Sequence, residues 1–161
     1  MRVLGIDPGF GRMGYGIIEE HRGGLRVLDY GCFETKPTER AGGRLRAIRD
    51  ALAGLLASWK PTLAATESLF FSKNVKTALQ VGEARGVILL TVAECALPLI
   101  ELSPQEVKLA VTGYGNAEKS QVQRMVQRIL GLPKPPKPDD AADGLALAIA
   151  AAQMRKFLRR L

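Results

Sequence analysis

The sequence predicts an α/β fold built on a mixed five-stranded sheet. Three apolar segments near the N-terminus are separated by short polar turns, which indicates an antiparallel meander. Two helix–strand units follow, and each allows a strand to join the sheet in parallel through a right-handed crossover. We therefore expect the first strand at the centre of the sheet and ligand chemistry at the carboxyl ends of the parallel strands.

The N-terminal half supplies four strands and a long helix. The first three strands are predicted at residues 2–6, 13–19 and 25–33. Residues 39–59 are predicted to be helical, because apolar residues recur there at steps of three and four. Pro61 ends this helix, since proline cannot continue a helical turn. Residues 62–66 then form a short strand that delivers Glu67 at its carboxyl end.

The second helix and the fifth strand are predicted at residues 75–96 and 99–102. A third helix begins with an unusually complete start signal. Ser103 is placed as the N-cap, Pro104 occupies the first helical position, and Glu106 completes a capping box.

Two more helices complete the predicted fold. Glycines at 113 and 115 break the third helix, and Asn116 is expected to cap the fourth, which runs to Leu130. Four prolines between residues 133 and 138 favour an extended connector. The last helix is predicted at residues 139–160.

Composition limits the classes of protein that this chain can belong to. The 161 residues fit a single domain, expected over residues 1–161, and no apolar run approaches the ~20 residues of a membrane span. No secretory signal is evident, so we expect a cytoplasmic protein with no membrane partner. Cys32 and Cys95 are expected to be reduced thiols in the core. His21 is the only histidine, which nearly excludes zinc chemistry and a Ser-His-Asp triad.

The charge balance favours a polyanionic partner. Lysine and arginine number 23 against 16 aspartate and glutamate, for a net charge of +7. Nucleic acid is the commonest partner of such proteins. Charge alone supports a generically basic soluble protein about equally well.

Acidic residues are expected to meet at one edge of the sheet. Asp7 and Glu67 lie at the ends of two predicted parallel strands, while Asp140 and Asp143 share one face of the last helix. Converging carboxylates repel one another unless a cation lies among them, and oxygen ligands suit Mg²⁺ or Mn²⁺. Two such ions can drive phosphodiester hydrolysis. Taken singly, each residue is more simply explained as a turn former, a helix-start charge or a solvated side chain.

Five motifs in the sequence also occur together in a known family. They are Gly5-Ile6-Asp7-Pro8-Gly9; Glu67 followed by Phe70 and Lys73-Asn74; Gly82-Glu83-Ala84-Arg85-Gly86; Gly115-Asn116-Ala117-Glu118-Lys119-Ser120-Gln121-Val122; and Asp140-Ala141-Ala142-Asp143. In this order, over essentially the whole chain, they resemble the RuvC family of crossover-junction endonucleases. The resemblance implies a ribonuclease H-like α/β fold, with a mixed five-stranded sheet and helices on both faces. It also implies resolution of four-way (Holliday) DNA junctions by paired, metal-dependent nicks.

The resemblance assigns roles to individual residues. By motif position, the metal-binding catalytic residues are Asp7, Glu67, Asp140 and Asp143. The DNA-binding residues are Phe70, Lys73, Lys108 and Lys119, with Phe70 against distorted junction DNA. The implied cofactor is Mg²⁺, or Mn²⁺, with two ions per active site. A homodimer joined through the helix that begins near Asn74, and the branch-migration proteins RuvA and RuvB, are the implied protein partners.

At two of these positions the neighbouring residue is of the same type and leaves the assignment open. Asp139 lies beside Asp140, and Phe71 lies beside Phe70.

Two other functions remain as alternatives at this stage. Asp7 and Gly9, followed by Gly14 and Gly16, resemble the first phosphate loop of actin- and hexokinase-type ATPases, although those enzymes need two such domains. A basic DNA-binding module without catalysis would explain the charge but not Glu67.

Overall fold

A computed structural model describes residues 1–68 and 75–158 of the chain, with side chains at residues 1–68 and 77–155. Its sheet has the strand order β3-β2-β1-β4-β5. The strands are β1 (Arg2–Asp7), β2 (Arg12–His21), β3 (Gly24–Glu34), β4 (Leu63–Glu67) and β5 (Leu99–Leu102). Strand β1 pairs antiparallel with β2 and parallel with β4, so the mixed sheet with a central first strand is confirmed.

Helices cover both faces of the sheet. They are α1 (Ala41–Trp59), α2 (Val75–Glu94), α3 (Pro104–Thr112), α4 (Lys119–Leu130) and α5 (Asp139–Leu158). Apolar residues of α1 and α2 form a core against one face, while α5, α3 and α4 form a core on the other. Among the described helices, none combines the length and the apolar character needed to cross a membrane.

The predicted element boundaries need small corrections. The capping box at Ser103 is confirmed, with Pro104 in the first turn. The expectation that Asn116 caps α4 is wrong, because the N-cap is Glu118. The Gln121 side chain accepts a hydrogen bond from the Glu118 backbone N–H at 2.8 Å, which fixes the helix start two residues later. Helix α5 extends to Leu158, and residues 159–161 lie outside the described part of the chain.

The cysteines are also placed differently from the prediction. Both are free thiols, but Cys32 is half-buried on the edge strand β3 and Cys95 is exposed. Cys95 lies just beyond the end of α2, where the chain turns before β5. Neither thiol belongs to the buried core.

Glycines allow α5 to lie directly on the sheet. A Cβ atom on Gly5 would lie 2.0 Å from the carbonyl oxygen of Gly144, and one on Gly16 would lie 2.5 Å from the backbone nitrogen of Leu145. Gly14 faces the carbonyl of Asp140 at a similarly short distance. Any side chain at these positions would push α5 away from β1 and β2. Gly14 and Gly16, two glycines of the phosphate-loop alternative, therefore serve packing, and the first turns of α5 are held over the end of β1.

Gly5→Ala tests this close approach. The added methyl group meets backbone, which cannot move aside like a flexible side chain, so we expect a loss of about 3 kcal/mol in unfolding free energy. For a domain of this size the melting temperature should fall by about 6–12 °C. The control is Gly54→Ala, which has open space around it in α1 and should stabilise the helix by about 0.5–1 kcal/mol. Equal melting temperatures for the Gly5 variant and the parent would contradict the packing argument.

Candidate active site

Three carboxylates and two lysines line a cavity of about 290 Å³ at the carboxyl ends of β1 and β4. The polar lining residues are Asp7, Glu67, Lys108, Lys119 and Asp143. Apolar side chains from α3, α4 and α5 complete the wall. The cavity therefore draws on five elements that are far apart in the sequence.

Strand register brings the first two carboxylates together. Ile6 of β1 pairs in parallel with Thr66 of β4, so the next residues, Asp7 and Glu67, leave the sheet side by side. The Ser68 N–H donates to the Leu102 carbonyl at 2.8 Å, which extends the β4–β5 pairing past Glu67 and fixes that strand end. The two acids thus project from rigid backbone.

Asp7 is the most perturbed acid of the site. Its burial raises its pKa from 3.8 to about 7, and the charges of Asp143, Glu67 and Asp140 add to the effect. Lys119 offsets this only in part. The site therefore carries more negative charge than its own lysines neutralise, which is the electrostatic condition that favours a bound cation.

Lys119 is the main countercharge within the cavity. Its Nζ donates to Asp143 Oδ2 at 2.9 Å. Partial burial acts to lower the pKa of Lys119, but the hydrogen bond and charge of Asp143 outweigh it and raise that pKa. Burial likewise raises the pKa of Asp143 despite Lys119, and burial together with the Asp143 charge raises the pKa of Glu67.

Asp140 lies beside the cavity instead of lining it. Its Oδ2 is 3.3 Å from Arg12 Nε and 3.9 Å from the Cys32 thiol, while Arg12 also pairs with Glu34 at 3.1 Å. The charge of Asp140 still contributes to the raised pKa of Asp7. The neighbouring Asp139 pairs with Lys137 at 3.1 Å and lies 3.9 Å from Lys119 Nζ, but its charge is not among those that raise the pKa of Asp7. This geometry favours Asp140 over Asp139 as the residue that serves the site.

Sequence reasoning did not single out Arg12. The predicted hairpin does place Arg12 near Asp7, because the antiparallel pairing of Asp7 with Gly14 brings the start of β2 next to the end of β1. An arginine there can reach an acid at the N-terminus of α5 only because α5 lies so close to the sheet. That tertiary approach is not visible in the local sequence pattern.

Of the eight predicted site residues, six lie in the described part of the chain. Lys108 and Lys119 both reach the cavity together with Asp7, Glu67 and Asp143. Phe70 and Lys73 lie outside the described residues, as does Phe71.

The donor set fits a hard divalent cation, because it consists of carboxylates with uncompensated charge. Within residues 1–68 and 75–158, however, no group of three or more His, Cys, Asp or Glu side chains is arranged to hold a metal ion. Two of the carboxylates are instead paired with Lys119 and Arg12. Metal binding at Asp143 and Asp140 therefore competes with these ion pairs.

Comparison with known proteins identifies the family. The sequence profile described as "Crossover junction endodeoxyribonuclease RuvC" matches residues 3–151. The chain is 47% identical to the protein of that name from Petrotoga mobilis over 159 residues, covering 99% of this chain and 98% of the relative. It is 49% identical to the one from Moorella thermoacetica over 160 residues, covering 99% and 96%.

Solved structures agree with the sequence comparison. Thermus thermophilus RuvC in complex with Holliday junction substrate superposes with a TM-score of 0.92 at 34% identity, covering 98% of this chain and 96% of that chain. The structure entitled "Thermus thermophilus RuvC structure" gives a TM-score of 0.90 at 35% identity, with the same coverage. The fold is thus ribonuclease H-like, and the protein is a nuclease. It belongs to the RuvC family of crossover junction endodeoxyribonucleases, as the motifs predicted.

The raised pKa of Asp7 predicts a pH-dependent gain in stability for Asp7→Asn in metal-free protein. Because the folded-state pKa of about 7 lies above the ordinary 3.8, the fold prefers the protonated acid. The stability from this preference is complete below pH ~4 and is lost as the pH rises toward 7. Asparagine avoids that loss, so its advantage in melting temperature should be small at pH 4. It should reach several degrees at pH 8, since 1 kcal/mol shifts a domain of this size by about 2–4 °C.

Asp50→Asn, an exposed acid on α1, is the control for this comparison. Its melting temperature should follow the parent protein at both pH values. A pH-independent difference between Asp7→Asn and the parent would contradict the raised pKa of Asp7.

Proposed function

We propose that this protein resolves four-way DNA junctions by cutting two strands at symmetric positions through two-metal-ion phosphodiester hydrolysis, in recombination and DNA repair. The observation that carries the proposal is the cavity in which Asp7, Glu67 and Asp143 face Lys108 and Lys119. Membership of the RuvC family and the likeness to a junction-bound relative support the choice of substrate.

Asp7, Glu67, Asp140 and Asp143 would hold Mg²⁺, or Mn²⁺, with two ions in each site. Bound divalent cations supply an activated water and neutralise the charge that develops on the leaving oxygen. Asp7 and Glu67, fixed at adjacent strand ends, orient the site relative to the sheet. Asp143 and Asp140 approach from α5 once Lys119 and Arg12 release them.

The lysines of the cavity are proposed to meet the DNA backbone. Lys119 lies on the first turn of α4, and its Nζ donates to Asp143 Oδ2. When that acid takes up a cation, the ammonium group is free to pair with a phosphate oxygen. Lys108 on α3 lines the same cavity. Phe70 and Lys73 are proposed to contact the junction on the strength of their motif positions alone.

Asp7→Asn should abolish cleavage while junction binding survives or tightens. The amide keeps the shape of the side chain but removes a charge that holds cations and repels phosphate. The rate of cleavage should fall by about 10²–10³ or more. Nicking of a labelled four-way junction is measured with and without Mg²⁺, against a linear duplex, and binding is measured in EDTA. Asp50→Asn should cut normally, and a near-normal rate for Asp7→Asn would rule out the two-metal mechanism.

A homodimer joined through α2 is proposed from the exposed surface of that helix. Leu79 is 64% exposed and Leu90 is 59% exposed, which is unusual for leucines of a well-packed helix. They are eleven residues apart, or about three turns, and therefore lie on one face. Gly86, with open space around it, lies between them on the same face. A C₂ dimer would present two active sites to the two strands that must be cut.

Leu79→Glu/Leu90→Glu should convert the dimer to a monomer without unfolding it. Glutamates on a self-facing surface repel their copies and cannot be desolvated cheaply. Light scattering after size exclusion at micromolar concentration gives the mass. Leu109→Glu is the matched control, because Leu109 is 56% exposed on α3. A monomeric mass for the unmodified protein would refute the dimer.

Three further assignments belong to the same proposal. Residues 1–161 would act as a single nuclease domain, supported by the shared core in which Val3 and Ile149 belong to one buried cluster. RuvA and RuvB as partners, and a cytoplasmic location, are supported by family membership.

A further inference from the structure

A second cavity lies on the α3–α4 unit, away from the carboxylates. Its volume is about 330 Å³, and its polar lining includes Thr112, Tyr114, Gln121, Arg124 and Arg128. The Tyr114 side chain is 61% exposed, and both arginines are exposed. The catalytic proposal uses none of these five residues.

The two arginines carry charge that no neighbouring acid balances. Helix α4 contains Lys119, Arg124 and Arg128 and no acidic residue. Lys119 is paired with Asp143 in the active-site cavity. In the part of the chain that the structure describes, no carboxylate pairs with Arg124 or Arg128. Unpaired, exposed arginines around a concave surface are suited to bind an anion, because each guanidinium can donate hydrogen bonds to two oxygens of one phosphate.

The spacing of these arginines suits a repeating anion. They are four residues apart, so they lie on the same side of α4, about 6 Å apart along its axis. Phosphates of one DNA strand recur about every 3.4 Å along the duplex axis, and the long arginine side chains can cover the difference, so both guanidinium groups can contact nearby phosphates of one strand. A small anion would need only one of them.

This second cavity is connected to the active site through the same two helices. Lys108 lines the catalytic cavity, and one turn later the Thr112 hydroxyl donates to the Lys108 carbonyl at 2.8 Å. The same hydroxyl accepts from the Tyr114 N–H at 3.1 Å, which fixes the turn that carries the tyrosine. On α4, Lys119 faces the catalytic cavity while Arg124 and Arg128 line the second one. A strand leaving the lysines can therefore follow the unit to the arginines.

We propose that Arg124, Arg128 and Tyr114 form a second DNA-backbone site, which binds phosphates in an arm of the junction beyond the cleavage point. The arginines pair with neighbouring phosphates, and the Tyr114 hydroxyl donates to a phosphate oxygen. Such contacts add affinity for the arm and are independent of base sequence. The inference rests on the DNA substrate proposed above but assigns residues outside the catalytic cavity.

The test compares Arg124→Gln/Arg128→Gln with Arg40→Gln/Arg46→Gln in the full-length protein. The control pair is exposed at the start of α1, against the opposite face of the sheet, and removes the same charge. Binding of a fluorescent four-way junction is measured in EDTA between 50 and 200 mM salt. Melting temperatures establish that all variants are folded.

Loss of two phosphate contacts has a defined salt signature. The slope of log affinity against log salt should become shallower by about 1.8, because each contact contributes about 0.9. The variant should bind about 100-fold more weakly than the parent at 50 mM salt, and this ratio should shrink by roughly 12-fold, to about 8-fold, at 200 mM. The control pair should change neither quantity to that extent. Cleavage of fully bound junction in Mg²⁺ should keep the parent rate, because the catalytic cavity is untouched.

Three outcomes would overturn the proposal. Parent-like affinity and salt slope for Arg124→Gln/Arg128→Gln would show that these arginines do not bind DNA, and an acidic protein would then be the partner to test. An equal loss in the control pair would show general electrostatic attraction instead of a site. A slower cut in fully bound complexes would place the arginines in the catalytic machinery. Failure of the parent protein to bind junctions would instead refute the proposed function, which keeps the two failures distinct.

Discussion

The close approach of α5 to β1 and β2 is the constraint on which the site depends. Glycines at positions 5, 14 and 16 leave no sheet side chain in the way at the points of closest approach, and Gly144 does the same from the helix side. Alanines of α5 fill the remaining space in the core. Because the helix is held this closely, its first turns bring Asp140 and Asp143 to the end of β1 without a long flexible side chain.

That geometry concentrates negative charge that the protein tolerates at a cost. Asp7 is buried among acids, and its pKa rises to about 7. Lys119 and Arg12 each neutralise one acid on α5, and no cation among residues 1–68 and 77–155 forms an ion pair with Asp7 itself. This uncompensated charge opposes folding, and a cation bound among the acids, as proposed above, would stabilise the folded state.

Helices α3 and α4 have a different relation to the substrate. They pack against α5, and four of their valines lie in the core that they share with it: Val107, Val111, Val122 and Val126. Their polar residues are thus free to face two directions. Lys108 and Lys119 turn toward the carboxylates, and Arg124 and Arg128 turn toward the second cavity. One rigid unit can in this way relate the cutting position to the path of the DNA arm.

The sequence by itself determined the elements, the order of the strands and the family. Periodicity, proline stops and the capping box at Ser103 are local signals, and the acids at strand ends follow from the strands. It misplaced the start of α4 at Asn116 and put Cys32 and Cys95 in the core, because side-chain caps and edge-strand exposure depend on neighbours. Only the tertiary structure decided that Lys119 pairs with Asp143 and that Arg12 holds Asp140 beside the cavity. These contacts join residues 24 and 128 positions apart. The Arg12–Asp140 pair depends on the glycine-lined approach of α5 to the sheet, and the Lys119–Asp143 pair depends on the packing of α4 against α5.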